Sequence, residues 1–172
     1  MLIKFLAAFS LVGILFPVDL EKRTLLDNKI EILVPKGWKP MSEDLIKIKY
    51  PGAKPPKYVL SDVSGGISLA FNPTESRATQ EQIETYKGFL KTSLESAFED
   101  EEWIDEGIKE INGRKVGFFK LITNTASGKI YNQMFFTDLD GKLLIISFNV
   151  VENKMKDWKS AADDIMNSLT LK

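Results

Sequence analysis

Asp140–Val151 reads DGKLLIISFNVV, and its pattern constrains everything around it. After an Asp-Gly turn signal, Ser147 and Asn149 are the only polar residues from Leu143 to Val151, so a strand built from this stretch carries apolar side chains on both faces. A strand with one wet face alternates apolar and polar residues; this one needs cover on both sides. Leu143 and Ile145 belong to one face, and Leu144, Ile146, Phe148 and Val150 to the other. Ser147 and Asn149 interrupt the first face, where the covering layer is expected to thin or open. Burying an aliphatic side chain is worth about 1.5–3 kcal/mol, so left bare such a strand is an aggregation hazard.

Working outward, three further β-rich segments precede it: WIDEGIKEI (103–111), RKVGFFKLIT (114–123) and KIYNQMFFTD (129–138). They are joined by Asn112-Gly113, by Ala126 to Gly128 and by Asp138 to Gly141, and such short Gly-containing links force antiparallel neighbours. Before this four-strand meander, Thr79 and Gln82 have the spacing of a capping box, and Ile83, Tyr86, Leu90, Leu94 and Phe98 recur at helical intervals. After it, Met155, Trp158, Ala162, Ile165 and Leu169 make a second apolar helical face. One helix on each side is the simplest way to dry both faces of the last strand. The expected fold is therefore α+β, an α/β/α sandwich with a central antiparallel sheet, a four-strand C-terminal meander and helices on both faces.

The N-terminal half is punctuated by turns. LLDNKIEILVP is a hairpin around Asp27-Asn28-Lys29, closed at Pro35, which cannot donate to a ladder. Ser42, followed by Glu43 and Asp44, starts a short helix to about Lys49. Three prolines stiffen the loop YPGAKPPKY, and YVLSDVSGGISLAF is strand, Gly65-Gly66 turn, strand. Ahead of all this, MLIKFLAAFSLVGILFPVD has a positive start and twelve residues from Phe5 to Phe16 with only Ser10 polar. That is the pattern of a secretory signal over residues 1–18, with one domain over 19–172. The run falls short of the about 20 apolar residues that cross a bilayer, so membrane contact is expected only through this segment if it is retained. An amphipathic first helix or a buried strand is the alternative. No small-x-small cleavage site and no lipid-acceptor cysteine accompanies the run. Export to a periplasmic or other extracytoplasmic space follows, with the cytoplasm as runner-up.

Composition removes most chemistries. The 172 residues are 44% hydrophobic and 27% charged, an ordinary globular balance, and a net charge of −1 offers no field to attract nucleic acid. With no cysteine and no histidine, thiolate and histidine catalysis and most zinc sites are impossible. There is no Ser-x-x-Lys and no phosphate-cradling Gly-x-x-x-x-Gly-Lys. DLDGK at Asp138–Lys142 lacks the third oxygen ligand and distal Glu of a calcium loop and reads as a turn. No catalytic residue, cofactor or metal is expected. A hydrolase using paired carboxylates, and a carrier for an apolar ligand held between helix and sheet, remain as alternatives.

Two charge features stand out. Ile46 to Leu60 contains no acid but Lys47, Lys49, Lys54 and Lys57, interleaved with Tyr50 and Tyr58. Stiffened by proline, and with Trp38 as a partly exposed anchor, it reads as a protein-docking loop of Trp38, Tyr50, Lys54, Lys57 and Tyr58, because a rigid loop loses less entropy on binding. The alternative is a solvated loop whose tyrosines cover the sheet edge, with Trp38 in the core beside Trp103 and Trp158. EDEEWIDE (99–106) has six acids in eight residues, and strand alternation is expected to send them to different faces.

The order of elements, with ILVPKGWK at Ile32–Lys39, Ile-Asn-Gly at Ile111–Gly113, the aromatic meander and a Trp-bearing terminal helix, resembles a known superfamily. It contains the photosystem II extrinsic protein PsbP, the envelope protein DcrB and Ran-GTPase-binding nuclear import factors, and the likeness spans roughly Leu25 to Leu169. The resemblance implies an α/β/α sandwich whose members mostly bind other proteins and have no established catalytic centre; some act as chaperones for hydrophobic segments of secreted effectors. It carries over no site residue. The expected function is that of a noncatalytic protein-binding or accessory protein of the cell envelope.

Overall fold

The computed structural model describes residues 18–51, 55–98, 100–125 and 128–172. Residues 1–17 of the expected signal segment, Lys54, Glu99 and the turn residues Ala126 and Ser127 lie outside the described residues. The chain runs β1 (Leu20–Leu25), β2 (Ile30–Pro35), β3 (Lys39–Pro40), α1 (Glu43–Lys49), β4 (Tyr58–Ser61), β5 (Ile67–Arg77), α2 (Ile83–Ala97), β6 (Glu102–Ile111), β7 (Arg114–Thr125), β8 (Gly128–Leu139), β9 (Lys142–Val151), α3 (Met155–Asn167) and β10 (Thr170–Leu171). Seven strands form one antiparallel sheet in the order β3-β4-β5-β9-β8-β7-β6, and β1-β2-β10 form a second. The architecture is the expected α+β sandwich, with the meander β6 to β9 intact.

β9 lies inside the large sheet, paired with β5 through Ile67↔Val150 to Pro73↔Leu144 and with β8 through Ile130↔Val151 to Leu139↔Lys142. Its two faces separate as the alternation requires. Leu144, Ile146, Phe148 and Val150 pack into one core with Ile30, Ile32 and Val34 of β2 and Ala162, Ile165 and Met166 of α3. Leu143 packs on the other side with Ile83, Phe119 and Phe136, and Ile145, Leu90 and Leu94 lean on that cluster. α1 covers a third patch through Ile46 against Val59 and Ala70.

One layer is built differently from the expectation of helix alone. At 1.5 Å rise per residue, the 13 residues of α3 span about 20 Å, whereas seven strands about 4.8 Å apart span about 29 Å. The hairpin β1-β2 supplies the remaining cover, presenting Ile30, Ile32 and Val34 to the core, and β10 adds to it at Thr170↔Glu31.

Local chemistry explains the elements. The Gln82 side chain accepts from Thr79 N at 3.1 Å, closing the capping box ahead of α2, and Ser42 Oγ accepts from Leu45 N to start α1. A bulge between Trp103 and Asp105 shifts the phase of β6. Trp103 and Glu106 therefore face α2, while Asp105 faces the opposite side beside Lys120. The acids of this stretch thus separate, and each helix is pinned by a different one of the sheet's charges. Glu106 receives Lys87 at 2.9 Å and Lys91 at 2.8 Å from α2, and these two lysines hold its carboxyl below the usual range. On the other face Lys120, only 6% exposed, meets Asp163 of α3 at 2.7 Å. Buried Gln133 donates to Ala162 O and Asp163 Oδ1, both at 3.1 Å, and accepts from Tyr131 Oη at 2.9 Å.

Gly117 is the tightest point of the α2 face: a Cβ there would lie 2.2 Å from the Phe136 ring, which itself stacks on Phe119 at 5.6 Å. Gly117→Ala is expected to displace Phe136 and lower unfolding free energy by about 1–3 kcal/mol in urea titration, the usual cost of overpacking. Asp163→Ala leaves Lys120 beneath α3 with only the more distant Asp105 among the described residues, at 3.8 Å, and is expected to cost about 2–3 kcal/mol, less than the about 3–5 for a fully buried pair because Asp163 is partly solvated and Asp105 remains. Adding Lys120→Met should restore part of that loss.

Candidate functional site

The four described residues of the expected docking loop, Trp38, Tyr50, Lys57 and Tyr58, do not share a surface. Trp38 is 6% exposed, with its ring 6.4 Å from Phe148 at an interplanar angle of 6° and 5.6 Å from Trp158. It is a core residue rather than an exposed anchor: Lys36 and Lys39 turn outward while the indole fills the space under α3. Tyr58 packs on Phe71 at 5.8 Å, on the α3 side of the sheet. Tyr50 lies on the opposite side, and exposed Lys57 pairs with Glu75 at 3.2 Å. Lys54 lies outside the described residues.

Two concavities flank α1 instead. The first is a groove of about 680 Å³ between α1 and the β4–β5 turn, bounded by Pro40, Met41, Leu45, Ile48 and Val63. Leu45 is 54% exposed, Ile48 75%, and Val63 fully. The signal for it lies in α1 itself: at 100° per residue, Leu45, Ile46 and Ile48 cannot all face the sheet, and only Ile46 does. Lys49 crosses the groove to donate to Gly65 O, and burial lowers its ammonium from the ordinary value. The neighbouring sheet edge is β3, where exposed Lys39 and Pro40, which has no N–H, deny a further strand its ladder.

The second is a cleft of about 340 Å³ on the other side of α1, between Tyr50 and the C-terminal end of α2. Leu94 and Phe98 of α2 form one wall, Ile145 and Met134 the apolar part of the floor, and Ser147 and Asn149 the polar part. This is where the first face of β9 loses its apolar residues, and the layer is open there. Asn149 Nδ2 donates to Tyr50 Oη at 3.4 Å, Tyr50 Oη and Ser68 Oγ are 3.0 Å apart, and Asn132 Nδ2 donates to Thr123 Oγ1 at 3.0 Å. Among the described residues no Asp, Glu, Lys or Arg lines the cleft. Burial raises the Tyr50 phenol, against the pull of its hydrogen bonds to Ser68 and Asn149.

Carboxylate chemistry finds little footing here. A smaller depression, of about 290 Å³, holds Glu75 and Asp140, but Lys142 and Lys57 tie the first and Lys29 the second. Those lysines hold Glu75 below the usual carboxyl range, opposite to the shift a general acid needs. Among the described residues no group of three or more Asp and Glu could hold a metal, and no helix is long and apolar enough to cross a membrane.

No protein-family model matches the chain, and neither does the sequence of any curated protein. Solved structures do share its fold. Cyanobacterial PsbP (CyanoP) from Synechocystis sp. PCC 6803 superposes with a TM-score of 0.66 at 16% identity, covering 97% of this chain and 99% of that one. PA94 of Pseudomonas aeruginosa, a protein of unknown function, gives 0.53 at 10%, covering 89% and 97%. LpqN of Mycobacterium tuberculosis, involved in cell envelope biogenesis, gives 0.52 at 11%, covering 90% and 91%. The chain has a PsbP/DcrB-like fold, as the sequence resemblance implies.

Tyr50 and Tyr131 both have phenols raised by burial, so the folded state binds their protons more tightly than the unfolded chain does. Their contribution is whole below the unfolded value of about 10 and is lost as pH rises from there through the raised native values. Stability measured against alkaline pH should therefore fall above about pH 10, and Tyr50→Phe should make that fall shallower.

Proposed function

We propose that the protein is a noncatalytic accessory protein of the cell envelope that binds a partner protein through the groove beside α1. The observation that carries this reading is the clustering of Leu45, Ile48 and Val63, three large apolar side chains exposed around one concavity. Single exposed apolar residues are ordinary, but a contiguous set rimmed by polar residues is the mark of an interaction surface. The occupant is the apolar face of a partner's amphipathic helix: Lys39 and Pro40 block strand addition at the adjacent edge, so recognition runs through side chains in the groove. The envelope part of the reading rests on the N-terminal apolar run, and LpqN, of the same fold, is involved in cell envelope biogenesis.

A photo-crosslinker at Ile48 in living cells tests both parts. One partner is expected to be captured, from the envelope fraction, by a mature protein beginning near residue 19. Leu45→Ser with Val63→Ser should weaken that capture about tenfold or more, equivalent to about 1.4 kcal/mol. Phe89→Ser, at a 66% exposed residue on the outside of α2, should leave it unchanged. Equal capture by the groove double variant and the wild type would defeat the assignment.

A further inference from the structure

We infer that the cleft between α2 and the sheet is a binding site for a small, uncharged, largely apolar molecule carrying one hydroxyl or amide group. Its volume of about 340 Å³ falls in the ~300–1,000 Å³ range of small-molecule sites. Neither helix closes it. α2 is held down near its middle by Leu90 on the core and by Lys87 and Lys91 on Glu106, while α1 ends at Tyr50. Leu94 and Phe98 therefore overhang a floor on which Ile145 gives way to Ser147 and Asn149.

The lining specifies the ligand's chemistry. Leu94, Phe98, Met134 and Ile145 suit an apolar body such as a ring or short chain. Among the described residues the polar end is made only of hydroxyls and amides, with no charge to neutralise an ionic headgroup, and burying an unmatched ion is costly. Part of that polar capacity is spent internally, in the Tyr50–Ser68, Asn149–Tyr50 and Asn132–Thr123 contacts. The side-chain oxygens of Ser147, Asn132 and Asn149 accept no protein hydrogen bond among the described residues. A ligand hydroxyl or amide N–H would donate to them. An apolar ligand that covered these acceptors without donating to them would leave them unsatisfied, and that cost gives the site its preference for a polar tip.

The site is distinct from the groove, and the test separates the two. The neutral fluorophore N-phenylnaphthylamine is titrated into the purified protein and displaced with decanol and with decanoate, which share a chain and differ in head charge. Micromolar binding is expected, with decanol competing about tenfold or more better than decanoate. Ser147→Leu, which fills the cleft, and independently Asn149→Leu should each weaken fluorophore binding about tenfold with the unfolding midpoint kept or raised, whereas Leu45→Ser with Val63→Ser should not affect it. Absence of binding at millimolar fluorophore, equal competition by decanoate, or binding indifferent to both cleft variants would overturn the proposal. Loss of the Ile48 crosslink in Ser147→Leu with fluorophore binding intact would give the cleft to a partner's side chain, and would overturn it as well.

Discussion

β9 needs apolar cover on both faces, except where Ser147 and Asn149 meet the cleft. It is hydrogen-bonded along both edges, to β5 and to β8, and Leu144, Ile146, Phe148 and Val150 on one side and Leu143 and Ile145 on the other must each find a cover. An edge position would leave such a strand as a template for aggregation, so it belongs inside a sheet, and the sheet must then sit between two layers. The remaining elements are consequences. α2 precedes the meander and α3 follows it, so the chain arrives on one face and leaves on the other. The charges at the β6–β7 end do not drive this arrangement, because apolar burial is larger, but they orient it: Glu106 addresses α2 and Lys120 addresses α3.

Where local rules and global packing agree, the sequence could be read directly. Asn112-Gly113 and Asp140-Gly141 occupy left-handed backbone, with φ of 49° and 77° and of 52° and 73°, which is why these dipeptides mark the hairpins between β6 and β7 and between β8 and β9. The capping box of Thr79 and Gln82 acts within four residues and is equally visible. The face assignment along β9 needs only a period of two. The β1-β2 hairpin could be read, but the third strand of that sheet was hidden because β10 is two residues long, and its pairing depends on the C-terminus returning to β2, where Lys172 N donates to Lys29 O at 2.9 Å. No local pattern encodes that return.

Trp38 was misleading, whereas α1 is the short helix expected from Ser42 to about Lys49. Trp38 sits among lysines, and charge in the neighbours resembles exposure, but the Lys36-Gly37 turn, closed by Trp38 N donating to Pro35 O at 3.3 Å, is solvated while the indole that follows it is buried. The stack with Phe148 and Trp158 joins residues far apart in the chain, which no window can show. α1 looks like an ordinary amphipathic helix until its length is counted. Seven residues cannot bury Leu45, Ile46 and Ile48 together, and the surplus became the groove. The cleft was half legible: the polar interruption at Ser147 and Asn149 marked the place, but the overhang of Leu94 and Phe98 required the position of α2.

The two faces of the sheet differ in what they can be used for. The α3 side is filled by the tryptophan stack, the small sheet and the Lys120–Asp163–Gln133–Tyr131 network, and a change there is felt as stability. The other side is covered by two helices that do not meet, since α1 rests on β4 and β5 through Ile46 while α2 rests on the meander. Apolar residues across the gap would leave a hydrophobic hole that collapse or aggregation would close. Ser147, Asn149 and Asn132 instead make a floor that water or a polar ligand group can satisfy. The concavity thus persists without a cost large enough to remove it, on the face whose rearrangement leaves the main core untouched. A scaffold shared at 16% identity or less can retain the filled face as its common structure, and the partly covered face is free to differ in shape and chemistry from one protein to the next.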